Sequence, residues 1–479
     1  MIQFNNQSQL KLITKFSNSL SRTLNISFSM LAFMLLNLNL HAQPGTIQWE
    51  RNYGGSDWDF AHSVQQTDDS GYIVAGYSLS NDGDVTDNNG NDDFNGDYWL
   101  VRLDASGTIL WESNYGGSDD DAANSVQQTN DGGYIVGGNS SSDDVDVSGN
   151  NGNLDIWVVK LDASGIIQWE NNYGGSDDDR LLSVQQTDDG GYILAGRSNS
   201  DDGDVSGNNG DSDCWVVKLD SLGSIQWESN YGGSDDDYCN SVQQTEDGGY
   251  ILAGVSESVD FDLSGNNGNR DYWLVKLDFT GTILWENNYG GSDDDEAKSV
   301  QQTDDGGYIV AGQSESNDGD VSGNNGQFCD YWLLKLDASG TILWERNYGG
   351  NDDDEARSVQ QTNDGGYILV GEARSADVDV SGNNGFFDYW VLKLDSSGTI
   401  QWESNYGGSS GDEALSVQQT GDGGYIVAGR SRSDDIDVSG NNGDFDYWLV
   451  KLSGTLSTDD TSTAGEIQTS LYPNPTHNN

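Results

Sequence analysis

The 479-residue chain contains little proline, histidine, cysteine or positive charge. Its three prolines (Pro44, Pro473 and Pro475) lie at the ends, and a long proline-free middle favours continuous strand pairing. Twenty basic residues face 80 acidic ones, giving a net charge of -60. Such a charge excludes nucleic acid and anionic membranes as partners of the bulk surface, and it favours cations or a salty medium.

Histidine and cysteine are too rare for most catalytic constellations. Beyond the N-terminal segment the histidines are His62 and His477, so a Ser-His-Asp or Cys-His arrangement and a histidine zinc site are excluded. Carboxylate pairs for glycoside hydrolysis stay open, because acids are abundant. Cys214, Cys239 and Cys329 occupy three different repeat positions. They form no framework, and we do not expect a structural disulfide.

The N-terminal segment differs in composition from the rest of the chain. Residues 1–49 contain no Asp or Glu, and Lys11, Lys15 and Arg22 precede an apolar run that ends at Ala42. This pattern predicts a secretory signal peptide over residues 1–42. The run is too short and too interrupted by Asn for a membrane span, and no other stretch resembles one.

A repeat of 58 or 59 residues, with a first interval of 62, fills the chain up to residue 453. Each unit has a Trp-Glu pair and a second tryptophan within Asp-Tyr-Trp or a variant of it. In one unit, strand patterns fall at 183–187, 191–198, 213–220 and 224–231, separated by turns and one acidic loop. Seven four-strand units predict an all-β fold over residues 43–453, a seven-bladed β-propeller.

The chain ends predict how the ring closes. The repeats begin with a fourth-strand sequence at 46–53 and end with a third strand at 446–452. We therefore expect the N-terminal strand to complete the last blade, which removes an exposed sheet edge.

The repeat resembles bacterial β-propeller repeats of the SBBP type. The residues that carry the resemblance are YGGSDDD, SVQQTxDGGYIVAG and DYWLVKLDxSG, over residues 46–452. It implies the propeller fold, and such repeats mostly carry no assigned activity.

A Ser/Thr/Asp-rich linker is predicted over 454–466. Within 467–479, LYPNPT resembles the opening of the C-terminal sorting domain of type IX secretion, a small β-sandwich of which only the start is present. The resemblance implies export to the cell surface or medium; without a working sorting domain the expected location is the periplasm.

Alternating strand directions place two acidic loops of each blade on one face. These are the YGGSDDD loop that enters a blade and the loop between its second and third strands. The second type has the D-x-D-x-S-G-x5-D spacing of a calcium loop in five copies. Aspartate and serine oxygens at this spacing suit calcium; solvated acidic turns are the alternative. The predicted ligands are Asp144, Asp146, Ser148 and Asp155; Asp202, Asp204, Ser206 and Asp213; Asp260, Asp262, Ser264 and Asp271; Asp377, Asp379, Ser381 and Asp388; and Asp435, Asp437, Ser439 and Asp446.

Two of the seven loops depart from this pattern. The first has Asp87 in place of the glycine and carries an insertion, and the fifth has an extra residue before Asp330. We expect both to bind calcium poorly or not at all.

Each third strand carries one basic residue and each fourth strand a Glu after its Trp. We expect these to form cross-strand ion pairs. Singly varying residues are interpreted as surface drift: Trp58, His62, Arg180, Tyr238 and Arg270.

These features predict an exported, monomeric, non-catalytic binding scaffold, stabilised by calcium, with a protein or glycan partner on the acidic face. A glycan hydrolase or lyase that uses carboxylates of this face is the alternative, and a purely structural repeat protein is a third interpretation.

Overall fold

The structure is a computed structural model that describes residues 44–86, 88–90 and 95–454. The predicted signal peptide, Asp87, and the linker and sorting segment beyond residue 454 lie outside the described residues. Residues Gly45–Gly454 form one compact unit. No helix in the described part of the chain has the length and apolarity of a membrane span.

Within the described residues, twenty-eight strands form seven four-stranded antiparallel sheets arranged in a ring, which confirms the seven-bladed β-propeller. The innermost strand of each blade is β2 (Asp59–Gln66), β6 (Asp121–Gln128), β10 (Asp179–Gln186), β14 (Asp237–Gln244), β18 (Asp295–Gln302), β22 (Asp354–Gln361) or β26 (Asp412–Gln419). The second strands are β3 (Tyr72–Ser78), β7 (Tyr134–Ser140), β11 (Tyr192–Ser198), β15 (Tyr250–Ser256), β19 (Tyr308–Ser314), β23 (Tyr367–Ala373) and β27 (Tyr425–Ser431).

The outer half of each blade repeats as regularly. The third strands are β4 (Asp97–Leu103), β8 (Asp155–Leu161), β12 (Asp213–Leu219), β16 (Asp271–Leu277), β20 (Asp330–Leu336), β24 (Asp388–Leu394) and β28 (Asp446–Leu452). The outermost strands are β5 (Ile109–Tyr115), β9 (Ile167–Tyr173), β13 (Ile225–Tyr231), β17 (Ile283–Tyr289), β21 (Ile342–Tyr348), β25 (Ile400–Tyr406) and β1 (Ile47–Tyr53).

The N-terminal strand closes the ring as the sequence predicts. β1 pairs with β28 in the last blade, and Gly45 N donates to Ser453 O. The glutamines of the innermost strands complete the circle: Gln186 N donates to Gln127 Oε1, and the same bond recurs at every blade junction. The last and first blades are therefore joined like any other two.

The hydrophobic core consists of seven layers, each between two neighbouring blades. One layer joins Ile73 and Leu100 of the first blade to Val136 and Trp157 of the second. Third and second strands are apolar on both faces for this reason, and all seven third-strand tryptophans are fully buried. Burying ~150–250 Å² of aromatic surface at ~25 cal/mol/Å² contributes roughly 4–6 kcal/mol per tryptophan before entropy is counted. The outermost-strand tryptophans are only partly buried.

The predicted Lys–Glu ion pairs are wrong. Lys218 binds Asp189 of the Asp-Gly-Gly turn in its own blade, at 3.0 Å. Glu228 accepts a hydrogen bond from Trp215 Nε1 at 2.9 Å. The reason is register: Glu228 pairs with Val217, so its side chain points to the opposite face of the sheet from Lys218. Both contacts recur in all seven blades.

The expectation of no structural disulfide is also wrong, because Cys214 and Cys239 form one. Cys214 lies on β12 and Cys239 on β14 of the next blade, 5.2 Å apart at their Cα atoms. Their different repeat positions face each other across the blade interface. Cys329 is a buried free thiol.

Candidate functional site

Both long loop types lie on one face of the ring, as predicted, and they bind each other. Ser176 of the YGGSDDD loop donates its backbone N–H to Asp202 Oδ1 of the acidic loop at 2.7 Å. Asp204 N in turn donates to Gly174 O at 3.0 Å. Asp202 therefore holds the neighbouring loop in place, and its equivalents Asp144, Asp260, Asp377 and Asp435 make the same bond.

The other predicted calcium ligands separate into two groups. The backbone of Ser206 contacts Glu228 of the same blade, at 3.4 Å, and Ser148, Ser264, Ser381 and Ser439 do the same with their own glutamates. Asp213 is fully buried, accepts a hydrogen bond from Asn209 N, and lies beside Asp237 and Asp262 of the next blade. The last carboxylate of one loop thus meets the third-position carboxylate of the following loop.

Calcium binding within a single loop stays a prediction. Among residues 44–86, 88–90 and 95–454, no three or more His, Cys, Asp or Glu side chains are arranged around a common metal position.

Burial disfavours the charged form of the aspartates that open the third strands. Burial and the charges of Asp179 and Asp204 raise the pKa of Asp155 to about 6. Burial, with the charge of Asp121 adding to it, raises the pKa of Asp97 to about 7. The same combination acts at Asp213, Asp271, Asp330, Asp388 and Asp446.

The residues interpreted as drift are not scattered in space. Trp58, Arg180 and Tyr238 line a single cavity of about 570 Å³ on the acidic-loop side of the ring. This mouth pocket spans the first four blades and is also lined by Tyr77, Leu79, Asp120, Ala122, Asn124, Asn139, Leu182 and Arg197. His62 lies next to it, with its ring centroid 5.6 Å from that of Tyr77. Arg270 does not line the pocket and is paired with Glu257 at 2.7 Å.

Comparison of the seven repeats explains why these varying residues lie around one pocket. In every innermost strand the Ser-Val-Gln-Gln end is invariant, whereas the second and fourth residues vary among the blades. The invariant end lines the central channel, a cavity of about 250 Å³ bounded by valines and glutamines. The varying end opens on the mouth pocket, so differences far apart in sequence meet at one place.

Two arginines face each other in the mouth pocket. Arg180 on β10 is the direct cross-strand partner of Arg197 on β11, and like charges in such a pair destabilise a sheet. Arg180 has a partial counter-charge in Asp178 at 3.5 Å, while its Nε is buried without a hydrogen-bond partner. Arg197 lies over the Tyr238 ring, 5.8 Å from the centroid, and has no ion pair among the described residues. Trp58 is 46% exposed beside them.

The opposite side of the mouth is a network of ion pairs. Arg357 binds Glu355 at 2.8 Å and Glu413 at 3.0 Å, and Arg430 binds Glu413 at 2.5 Å. Glu372, the cross-strand partner of Glu355, is also buried here. Burial and the charges of Glu413 and Glu355 raise the pKa of Glu372 to about 7.

Comparison with known proteins assigns no activity to the chain. No family model matches the chain. The regulatory protein FlaEY of Caulobacter vibrioides is 30% identical over 148 residues, which is 29% of this chain but only 15% of that protein. The chain therefore aligns with a small part of the curated relative it matches.

Similar solved structures are of varied kinds. Sqt1 from Chaetomium thermophilum has a TM-score of 0.43 at 13% identity, covering 85% of this chain and all of that one. A puromycin hydrolase has a TM-score of 0.45 at 12% sequence identity, and the match covers 80% of this chain and 53% of the hydrolase chain. An α-L-arabinanase of Penicillium chrysogenum has a TM-score of 0.42 at 9% sequence identity, and the match covers 84% of this chain and 98% of the arabinanase chain. Likeness at this level decides nothing about catalysis.

Proposed function

We propose that this protein is an exported propeller scaffold that binds an acidic glycan in its mouth pocket. The observation that carries the proposal is the opposed pair of Arg180 and Arg197 beside the exposed ring of Trp58. Seven nearly identical blades provide the frame, and the residues that break the repeat supply the recognition.

The pocket chemistry selects this ligand class. Two guanidinium groups that face each other are stabilised by a bound carboxylate, which accepts their N–H groups in a fork geometry. The apolar face of a sugar ring packs on an exposed indole, while amides such as Asn139 supply hydrogen bonds to hydroxyl groups. In a protein of net charge -60, an anionic ligand requires such a local concentration of positive charge.

The test is binding of uronic-acid oligosaccharides by isothermal titration calorimetry, with neutral oligosaccharides of equal length alongside. Two variants address the pocket: Arg197→Gln, and Trp58→Asp, which restores the aspartate that other blades carry here, as at Asp120. We expect each to weaken binding by about tenfold or more, which corresponds to ~1.4 kcal/mol.

The matched control is Arg346→Asn, which changes an exposed arginine on an outermost strand to the Asn found at position 287. Equal affinity of the control and the pocket variants would contradict the proposal. Preference for the neutral oligosaccharides would refute the role of the arginines.

A second candidate function, glycan hydrolysis or elimination, is favoured by the glutamates across the mouth. Glu372 with its pKa raised to about 7 has the protonation behaviour of a general acid, and Glu355 and Glu413 supply carboxylates nearby. Chromatography of the same oligosaccharides after long incubation tests it. Product release that Glu372→Gln abolishes, with binding retained, supports catalysis; unchanged oligosaccharides support the scaffold.

Export is part of the proposal and rests on the residue pattern of 1–42 and on the resemblance of 467–479 to a sorting domain. Cell fractionation with an antibody to the propeller tests it. Protein in the cytoplasm would refute export, and protein confined to the periplasm would refute only the sorting role.

A further inference from the structure

Two carboxylates meet at the interface between the second and third blades without a donor between them. Asp155 opens β8 and Asp179 opens β10, and both are fully buried. A Cβ atom placed on Gly174 would lie 2.7 Å from Asp155 Oδ1 and 2.6 Å from Asp179 Oδ2. These two oxygens are therefore no farther apart than the sum of those distances, and glycine keeps the space between them clear of a side chain.

The hydrogen-bond donors around this pair do not serve Asp155 Oδ1. Asn151 N donates to Asp155 Oδ2, the oxygen turned away from the glycine. Gly175 N and Ser200 Oγ both donate to Asp179 Oδ2. Asp155 Oδ1 is left buried with no hydrogen-bond partner. An ionised oxygen in this position is strongly unfavourable unless a positive charge reaches it.

The arrangement recurs at every blade junction. In each copy the oxygen of the first aspartate is buried without a partner, and in each copy a glycine lies against both carboxylates. The pairs are Asp97/Asp121, Asp155/Asp179, Asp213/Asp237, Asp271/Asp295, Asp330/Asp354, Asp388/Asp412 and Asp446/Asp59, and the glycines are Gly116, Gly174, Gly232, Gly290, Gly349, Gly407 and Gly54. The unpartnered oxygen is therefore a constant feature of the blade junction.

We propose that each blade interface binds one divalent cation, with calcium the best fit, between the aspartate that opens the third strand of one blade and the aspartate that opens the first strand of the next. Carboxylate oxygens are the ligands that calcium prefers, and water completes a shell of about six to eight. Asp204 Oδ2 is 3.5 Å from Gly174 N, so this carboxylate is close by without being one of the two ligands. The cation joins the blades through their buried charges.

This site differs from the calcium loop predicted from the sequence, and the number of bound ions distinguishes the two. Five loops have the calcium spacing, whereas all seven interfaces carry the aspartate pair. Native mass spectrometry of the purified protein in calcium should find about seven bound ions if the interfaces bind them. A count of five, or of zero, overturns the proposal.

Variants separate the two sites by position. Asp97 and Asp330 belong to the two loops without the calcium spacing, so the double variant Asp97→Asn with Asp330→Asn should lower the count to five. The matched control is Asp144→Asn with Asp202→Asn, at the first position of two predicted loops, where an amide oxygen still accepts the bond from Ser118 or Ser176. We expect the control to keep seven ions. Loss of ions in the control alone would overturn the interface site.

Thermal unfolding gives a second readout that does not depend on counting. Calcium at constant ionic strength should raise the midpoint of the wild type, since a cation that binds only the folded state stabilises it. An equal rise with sodium would mean screening alone and would refute the site. In chelator, Asp97→Asn should raise the midpoint, because an amide N–H replaces one of two opposed carboxylates. A lower unfolding midpoint for this variant in chelator, with the protein still folded, would contradict the pairing of carboxylates.

Discussion

Cys214 and Cys239 form a disulfide at the place where five other blade interfaces pair a tyrosine with an alanine. At the next interface those residues are Tyr272 and Ala297, and the tyrosine hydroxyl donates to Trp332 O of the adjoining blade. The disulfide and the tyrosine hydrogen bond thus both connect a third strand to the following blade.

Loss of the disulfide should lower stability, and the tyrosine solution should restore part of it. The bond closes a segment with a sequence separation of 25, for which chain entropy predicts a contribution of roughly 3 kcal/mol. We expect Cys239→Ala to lose most of this in denaturant unfolding. Cys214→Tyr with Cys239→Ala should unfold at higher denaturant than Cys239→Ala alone; no difference would show that the tyrosine bond is not equivalent.

Alanine at Gly174 should be severely destabilising. Its Cβ would contact two buried carboxylates at under 3 Å, and neither strand end can move without breaking its sheet. We expect a loss of about 2 kcal/mol or more in unfolding free energy. The control is Gly323→Ala in the acidic loop of another blade, where a Cβ would meet nothing within 4 Å. Equal effects of the two substitutions would contradict the close approach.

His62 should make stability depend on pH in the acid range. Its Nδ1 donates to Ala123 O, and burial, with Arg430 nearby, lowers its pKa below 6.5, although Glu413 opposes the effect. A depressed histidine pKa means that the unfolded chain binds the proton first, so stability falls as pH drops below about 6.5.

The matched variant for this prediction is His62→Asn, because Asn124 makes the same bond to the next strand. The stability difference between wild type and variant should change by up to about 1.4 kcal/mol per pH unit below pH 6.5. Parallel pH profiles of the two proteins would show that His62 does not titrate on unfolding.

Removal of residues 45–55 should cause aggregation. The deletion takes away β1 and exposes the edge of β28, a strand of apolar residues that pairs with any free strand. It also leaves Trp448 Nε1 without Glu50. Size-exclusion chromatography provides the test, and a soluble monomeric deletion variant would refute the closure role.

The strand periodicity predicts the blades and the shared face of the acidic loops. The closure of the ring follows from repeats that begin with a fourth strand and end with a third strand. They do not predict what meets between blades. Asp155 and Asp179 belong to different units, and each alone is typical of a strand start. The pairing of Lys218 with Asp189 depends on a register that the sequence does not show. The mouth pocket has a sequence signal: the second and fourth residues of the innermost strands vary, whereas the Ser-Val-Gln-Gln end of the same strands is constant.

The paired ends of the ring determine how it responds to mechanical load. Gly45 and Ser453 are hydrogen-bonded neighbours at one end of the antiparallel pair formed by β1 and β28. Tension between these two points would peel the strands apart one residue pair at a time, as a zipper opens, instead of shearing all the bonds together. The last blade would yield first, at low force, and single-molecule stretching between residues 45 and 454 would record that release before any other blade extends.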